Sequence, residues 1–305
     1  MVRYIIGRLL WIIPVLFVVT VITFGLMHAV PGGPWSREKR VPEATQQALN
    51  LKYGLDDPVP VQYVRWVTDL LQGNLGPSYK FRDRTVNDIV ADGFWTTLQL
   101  GLMAFALSVI VGIPLGIIAA LGHNRWPDYL STGISIIGVA TPSFILATLL
   151  ILFFSVTLRW FPTGGWKGPE TWVLPTIALA GFPIAVIARY TRASMLEVTR
   201  KDYVRTAHSK GLRDQAVVSR HMIRNALIPV VTILGPTLAF LVTGSFIIEQ
   251  IFGIPGVGRF YIESIETRDY GLLMAMTMLY AFAVAFLNVV VDVLYAYIDP
   301  RIRYS

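Results

Sequence analysis

No cysteine occurs among the 305 residues. Disulfides, thiolate metal sites and a cysteine nucleophile are therefore excluded. Charge is also scarce: 15% of the residues are Asp, Glu, Lys or Arg, against about 25% in ordinary soluble domains. The usual catalytic signatures are missing as well. There is no G-x-x-x-x-G-K-[ST] phosphate loop, so the chain cannot bind and hydrolyse ATP by that route. There is no H-E-x-x-H pair and no G-x-S-x-G elbow. His28, His123, His208 and His221 are scattered without paired spacing. These absences lead us to expect a chain with no metal, no cofactor and no reaction that it catalyses alone.

Apolar residues make up 54% of the chain, and the mean hydropathy is +0.57. A bilayer core about 30 Å thick needs roughly 20 apolar residues in a helix. Six segments qualify: Leu9–Val30, Thr96–Leu121, Tyr129–Val156, Trp172–Arg189, Ile228–Ile248 and Gly271–Ile298. The expectation is an all-α polytopic membrane protein with about six transmembrane helices. Arg3 and Arg8 precede the first run as they would in a signal peptide. The run is too long for such a segment, however, and no A-x-A site follows, so it reads as a retained span. Pro14, Pro114, Pro142, Pro175, Pro183 and Pro236 fall inside spans. Membrane helices tolerate prolines where neighbouring helices satisfy the freed backbone groups, which points to a packed bundle. Gly112 and Gly116 form a small-xxx-small pair suited to close helix contact.

The net charge of +7 would suggest nucleic acid in a soluble protein. Here its placement matters more, and no nucleic-acid partner is expected. Both termini, loop 122–128 and loop 189–227 together hold fourteen Lys and Arg residues, whereas loops 157–171 and 249–270 hold four. Basic residues in short loops mark the cytoplasmic side, so both termini and loop 189–227 are expected there. Trp95, Trp160, Trp172 and Tyr190 lie near span ends, where aromatic belts form. Segment 31–95 is then external. It carries eight basic and eight acidic residues, with short amphipathic helices expected over Glu43–Leu51 and Val61–Leu71 and a break at Gly73, Gly76 and Pro77. The expected organisation is a first span within 1–30, an external segment over 31–95, a five-helix core over 96–298 carrying loop 190–227, and a tail over 299–305.

Asp292 is the one charged residue clearly inside a span, with Asn288 on the same helical face. It reads either as an ion relay or, better, as an interfacial group near the cytoplasmic end. Loop 189–227 is more informative. Glu197 with Lys201, and Asp202 with Arg205, have helical ion-pair spacing. Span four is expected to continue as helix to Lys210, where Gly211 offers a left-handed stop. A second short helix is expected over Leu212–Met222, with Leu212, Ala216 and Val217 on one face and Arg213, Asp214 and Arg220 on others. Such a helix–glycine–helix knob suits a partner's groove.

The stretch D-Y-V-R-T-A-H-S-K-G-L-R-D-Q-A-V-V-S-R-H-M-I-R-N-A-L-I-P-V, Asp202–Val230, resembles the EAA loop of bacterial ABC-importer permeases. It is most similar to the dipeptide, oligopeptide and nickel branch. Y-I-I-G-R-L-L (Tyr4–Leu10), Y-G-L-D-D-P-V-P-V-Q-Y (Tyr53–Tyr63), G-N-L-G-P-S (Gly73–Ser78), E-Q-I-F-G-I-P-G-V-G-R (Glu249–Arg259) and V-D-V-L-Y-A-Y-I-D-P-R-I-R-Y (Val291–Tyr304) resemble that branch in order and spacing. The resemblance implies a type I importer fold and a permease subunit of an ATP-driven importer, peptides being the expected substrate. It implies separate ABC ATPase subunits, a second and related but different permease chain, an extracytoplasmic substrate-binding protein, and a bacterial or archaeal plasma membrane. An ion-coupled secondary transporter and a non-transport membrane enzyme or structural subunit are the rival readings.

By position, the resemblance implies an ATPase-coupling loop comprising Asp202, Tyr203, Arg205, Thr206, Ala207, Lys210, Gly211, Leu212, Arg213, Asp214, Ala216, Val217 and Arg220, with Leu212–Met222 as the coupling helix. It also implies an external gate-side loop with Glu249, Phe252, Pro255, Gly256 and Gly258. Arg205 and Thr206 stand where Glu and Ala are usual across importers, and Gly33 stands where this branch often has Asp.

Overall fold

A computed structural model describes residues 2–31, 34–35, 42–81 and 83–298, without the side chains of 2–4, 292 and 294–298. Gly33 and the tail 299–305 lie outside the described residues, as does the side chain of Asp292. The chain divides into two compact units, one formed by the residues up to Thr96 with Pro255–Ala296, the other by Thr97–Ile254.

The first unit contains α1 (Val2–Ala29), α2 (Glu43–Tyr53), α3 (Val59–Leu71) and the start of α4 (Val86–Leu121). The two amphipathic helices therefore form where the apolar spacing places them, each slightly longer than expected. Gly54 ends α2 at φ +63°, and Gly73 and Gly76 take φ +76° and +88° beyond α3. These left-handed values are cheap only without a Cβ. The unit also contains α12 (Val257–Thr267) and most of α13 (Tyr270–Ile298). Val86, Ile89, Val257, Leu272, Ala275 and Met276 form its buried apolar cluster. Asp269, 1% exposed, ties segment 78–80 to the start of α13. Its carboxylate accepts Ser78 Oγ at 2.5 Å and the backbone N–H groups of Tyr79, Lys80 and Leu272 at 3.0–3.2 Å. Burial, with the nearby Asp269 carboxylate second, pushes the Tyr79 phenol well above its usual range.

The second unit holds the rest of α4, then α5 (Trp126–Ala140), α6 (Ser143–Leu150) with a wide π turn over Ile151–Thr157, and α7 (Pro169–Thr199). Next come α8 (Asp202–Ser209), α9 (Asp214–Ala216), a π turn over Val217–Ile223, α10 (Arg224–Val242) and α11 (Phe246–Ile251). Among the described residues, five helices are long and apolar enough to cross a membrane, and α5 with α6 makes a sixth if the two form one broken span.

The third expected span is not straight. It bends by 107° between α5 and α6. Pro142 has no N–H to donate and disfavours helical backbone at Thr141. Thr141 accordingly turns extended, at φ −89° and ψ 116°. The fifth expected span begins earlier than the hydropathy indicates: Asp214–Val242 runs as one continuous rod. It ends at Val242, and Gly244 just beyond takes φ +88°.

α7 is the most enclosed span, with 56% of its most apolar stretch buried. Its small residues explain why. In a bilayer, helices associate by close packing rather than by the hydrophobic effect. A Cβ added at Gly116 of α4 would meet Ala188 O and Thr191 Cβ at 2.5 Å, and one at Gly112 would lie 2.9 Å from Ile187 Cγ2. The small-xxx-small pair is thus a helix contact. A Cβ at Gly138 of α5 would approach Ala185 Cβ to 2.8 Å. Two side chain-to-backbone bonds reinforce these contacts: Ser131 Oγ donates to Leu115 O at 3.1 Å, and Ser194 Oγ donates to Ala226 O at 2.7 Å.

We predict that Gly116→Val costs about 1–3 kcal/mol through overpacking. Gly133→Ala, where a Cβ meets open space, should be neutral or stabilising by up to about 1 kcal/mol. Thermal unfolding in detergent checks both, and equal loss in the two variants would contradict the contact.

Candidate functional site

The stretch between α7 and α10 departs from expectation in a specific way. α7 stops at Thr199, and Lys201 takes extended backbone at φ −76° and ψ 146°. Span four therefore does not run on to Lys210. Asp202–Ser209 starts afresh as α8, with Asp202 in the first turn, where a carboxylate complements the helix dipole. The expected short helix Leu212–Met222 is not separate either. Arg213 is extended, at φ −62° and ψ 145°, so helix starts at Asp214. No glycine or proline follows until Pro229, and the helix passes Met222 into the rod Asp214–Val242. The isolated element of this loop is α8.

α8 ends in a Schellman motif at Gly211. Gly211 N–H donates to His208 O at 2.9 Å, and Leu212 N–H donates to Ala207 O at 3.4 Å. Gly211 has the expected left-handed backbone, at φ +74°. A Cβ there would meet nothing within 4 Å, so only backbone strain opposes a side chain.

Val204 and Ala207 are buried, and they join α8 to Met195, Val198, Val217, Met222 and Ala226. They lie three residues apart on one face. The opposite side is exposed: Asp202, Tyr203, Arg205, Thr206, Lys210, Leu212, Arg213 and Asp214 all face outward. The loop residues thus come together around α8 in two roles, with Val217 in the anchoring cluster and Ala216 half-buried above it. Leu212, 41% exposed, does not join the apolar face expected of it. Arg220 is exposed on the π turn. Lys201 Nζ lies 2.8 Å from Glu197, and Arg205 lies 3.9 Å from Asp202. Hydrogen bonding to Glu197 holds the Lys201 ammonium above its usual range. His208 Nε2 sits 3.3 Å from Asp214 Oδ1, across the Gly211 turn.

The residues of the expected external loop divide between the two units. Glu249 and Phe252 belong to the second and are buried. Thr97 Oγ1 donates to Glu249 Oε1 at 3.0 Å. Gly244 passes so close that a Cβ would lie 2.9 Å from that same oxygen. Phe252 O accepts Gly165 N–H at 2.7 Å. Pro255, Gly256 and Gly258 belong to the first unit. There Gly93 lets α4 approach the N-terminus of α12: a Cβ would meet Val257 N at 2.9 Å.

Sequence reasoning missed one charge pair, a buried carboxylate held by a half-buried guanidinium. Asp128, 2% exposed, accepts Arg192 Nε at 2.5 Å and Nη2 at 2.8 Å. Arg192 counts as an orientation charge in the sequence, and Asp128 lies one residue outside the expected third span. Nothing in the spacing pairs residues 64 positions apart. Among the described residues, no group of three or more His, Asp or Glu is placed to hold a metal ion.

Residues 112–304 match the model of the binding-protein-dependent transport system inner membrane component family. Residues 1–101 match the N-terminal model of such membrane components. The chain belongs to this family. It is 44% identical to the dipeptide transport system permease protein DppB of Bacillus subtilis, over 99% of this chain and 98% of that one. It is 43% identical to the oligopeptide transport system permease protein OppB of Salmonella typhimurium, over the whole of both chains. The glutathione transport system permease protein GsiC of Escherichia coli is 44% identical, again over both whole chains. In fold, the chain is similar to the MetNI methionine ABC transporter in its inward-facing form. The TM-score is 0.55 and the identity 17%, with 69% of this chain and 96% of that one covered. The fold is that of the type I ABC-importer permeases, and the chain is a transmembrane permease subunit of that class.

Glu249→Ala in this permease removes an acceptor that the buried Thr97 hydroxyl uses. We predict a loss of about 1–3 kcal/mol beyond that of Glu249→Gln, which keeps an acceptor oxygen. Thermal midpoints of the two detergent-purified variants check it, and coincident midpoints would sink it.

Proposed function

We propose that this permease imports peptides, that it forms half of the substrate path, and that a separate ATPase drives it through α8. The observation that carries the coupling reading is α8 itself. Two buried residues anchor it, a Schellman turn stops it, and an exposed face with Tyr203, Arg205, Lys210 and Leu212 is left for a partner. A short helix held at one face and free at the other suits insertion into a groove. The full-length likeness to dipeptide and oligopeptide permeases supports the substrate class. In this reading α8, not Leu212–Met222, is the docking helix, and Leu212 borders its exposed face.

The proposed partners are ABC ATPase subunits, a second and related permease chain, and an extracytoplasmic substrate-binding protein that delivers the peptide. Both termini and residues 190–227 face the cytoplasm in a plasma membrane, and 31–95 face outward. The distribution of Lys and Arg supports that orientation. With no native cysteine, labelling can test it cleanly. Ser209→Cys, exposed at the end of α8, should resist an impermeant maleimide in intact cells and react after lysis. Labelling in intact cells would invert the topology.

Gly211→Val tests docking. A Cβ in left-handed backbone costs about 1–2 kcal/mol, and branching at that carbon stiffens the side chain further. The strain is local, because the space around Gly211 is open. Membrane insertion should stay near normal while co-purification of the ATPase, substrate-stimulated hydrolysis, or both decline. Gly73→Val is the matched control, since φ is +76° there and the surrounding space is also open. It should leave docking unchanged. Wild-type ATPase binding and uptake in a folded Gly211→Val protein would refute the docking reading.

A further inference from the structure

We propose that Asp128 and Arg192 are a positioning pair that passes displacement of α8 to the broken span α5–α6. The inference rests on the reading of α8 as the docking helix. α8 reaches the spans by two covalent routes, the joint at Arg200–Lys201 into α7, extended at Lys201, and the turn at Gly211–Arg213 into α9. A load on α8 therefore arrives first at the ends of α7 and of the rod Asp214–Val242.

Further along, α5 meets α7 through Gly138, Gly181 and Ala185. Such apolar contacts fix distance but set little direction. At the α8 end the contact is different. The Arg192 guanidinium grips Asp128 with two donors, at 2.5 and 2.8 Å. A two-point fork fixes angle as well as separation. Asp128 also accepts Asn124 N–H at 3.0 Å, and His123 Nδ1 lies 3.2 Å away, so the carboxylate holds the turn before α5 as well.

The neighbouring bonds extend this into a collar. Ser131 binds Leu115 O of α4, and Ser194, two residues beyond Arg192, binds Ala226 O of α10. α4, α5, α7 and α10 are thus tied at one level, next to the joint into α8. Asp128 is buried and Arg192 half-buried; the cost of taking charge out of water offsets much of such a pair's attraction, and the best-attested use of buried charge is to set register. That points to geometry as the reason for a fork here. With the fork in place, α5 must follow the end of α7, and the 107° bend at Thr141–Pro142 takes up the motion.

The test uses the whole transporter in proteoliposomes, with cysteine-free partners. Thr141→Cys reports on the bend, read as the ratio of maleimide labelling rates with and without ATP. In the otherwise wild-type permease that ratio should differ from one by about fivefold or more. The double variant Asp128→Asn/Arg192→Gln removes both charges and leaves no lone buried ion. It should assemble and hydrolyse ATP, while the ratio falls to about one and ATP-driven trialanine uptake falls about tenfold or more. Arg192→Lys keeps the charge and loses the fork, and should fall between.

An unchanged ratio in the assembled double variant would overturn the inference, as would a wild-type reporter that ignores ATP. Failure of every pair variant to assemble would make Asp128–Arg192 a folding element alone and would overturn it too. The docking reading fails separately, when Gly211→Val leaves ATPase association intact. Sensitivity at Gly211 with an unchanged ratio in the double variant would sink only the present inference.

Discussion

Close backbone approach around α7 is the constraint on which the second unit depends. Lipid tails are as apolar as leucine, so burying a leucine between two membrane helices gains little over leaving it in lipid. What remains is dispersion over a snug contact, and that needs small residues at the crossing points. Gly112 and Gly116 on α4, Gly138 on α5, and Gly181 and Ala185 on α7 supply them. Large apolar side chains such as Ile110, Ile118, Ile136 and Ile137 point outward from the same helices. The ordinary soluble pattern, bulky inside and small outside, is reversed on these faces.

A bundle packed this way holds its helices close, and polar bonds add direction where direction matters. Ser131–Leu115, Ser194–Ala226 and Asp128–Arg192 all lie near the level where the spans give way to α8. Each links different helices, so the tie is distributed. Removing Arg192 leaves the buried Asp128 carboxylate without its countercharge, whereas losing one serine bond takes only a second donor from a helix carbonyl. The pair is the one charged tie of that collar among the three.

Much of this was legible in the sequence. Long apolar runs gave the spans, the 3.6-residue pattern gave α2 and α3, and Lys210–Gly211 gave the left-handed stop. The Gly112–Gly116 pair gave the correct kind of contact, although not its partner. The misreadings share a physical origin. Hydropathy averages over a window, so it carried the third span across Thr141–Pro142, where a single peptide geometry decides. It also missed that the rod begins at Asp214, because polar residues in helical backbone look like loop to a hydropathy scale. The joint at Arg200–Lys201 has no glycine or proline to announce it. Asp128–Arg192 lies beyond any local pattern, because ions on different helices meet only through tertiary packing.

These differences change how force would enter the permease. Had span four run unbroken to Lys210, a partner pushing on the loop would have had a rigid lever on one helix. With α8 hinged at Lys201 and stopped at Gly211, a push is shared between α7 and the rod Asp214–Val242. Two helices loaded together can shear against a third only if something couples them to it. Val204 and Ala207 couple α8 to the ends of both, through Met195 and Val198 on one side and Val217, Met222 and Ala226 on the other. The Asp128 fork then carries the load to α5, and the bend at Pro142 lets α5 and α6 respond as separate segments. A chain with no phosphate loop of its own thus has a continuous physical route by which motion generated elsewhere can reach its spans. Discrete joints and ties along that route suit a two-position element better than gradual bending would, since packed contacts of this kind are made or broken rather than stretched.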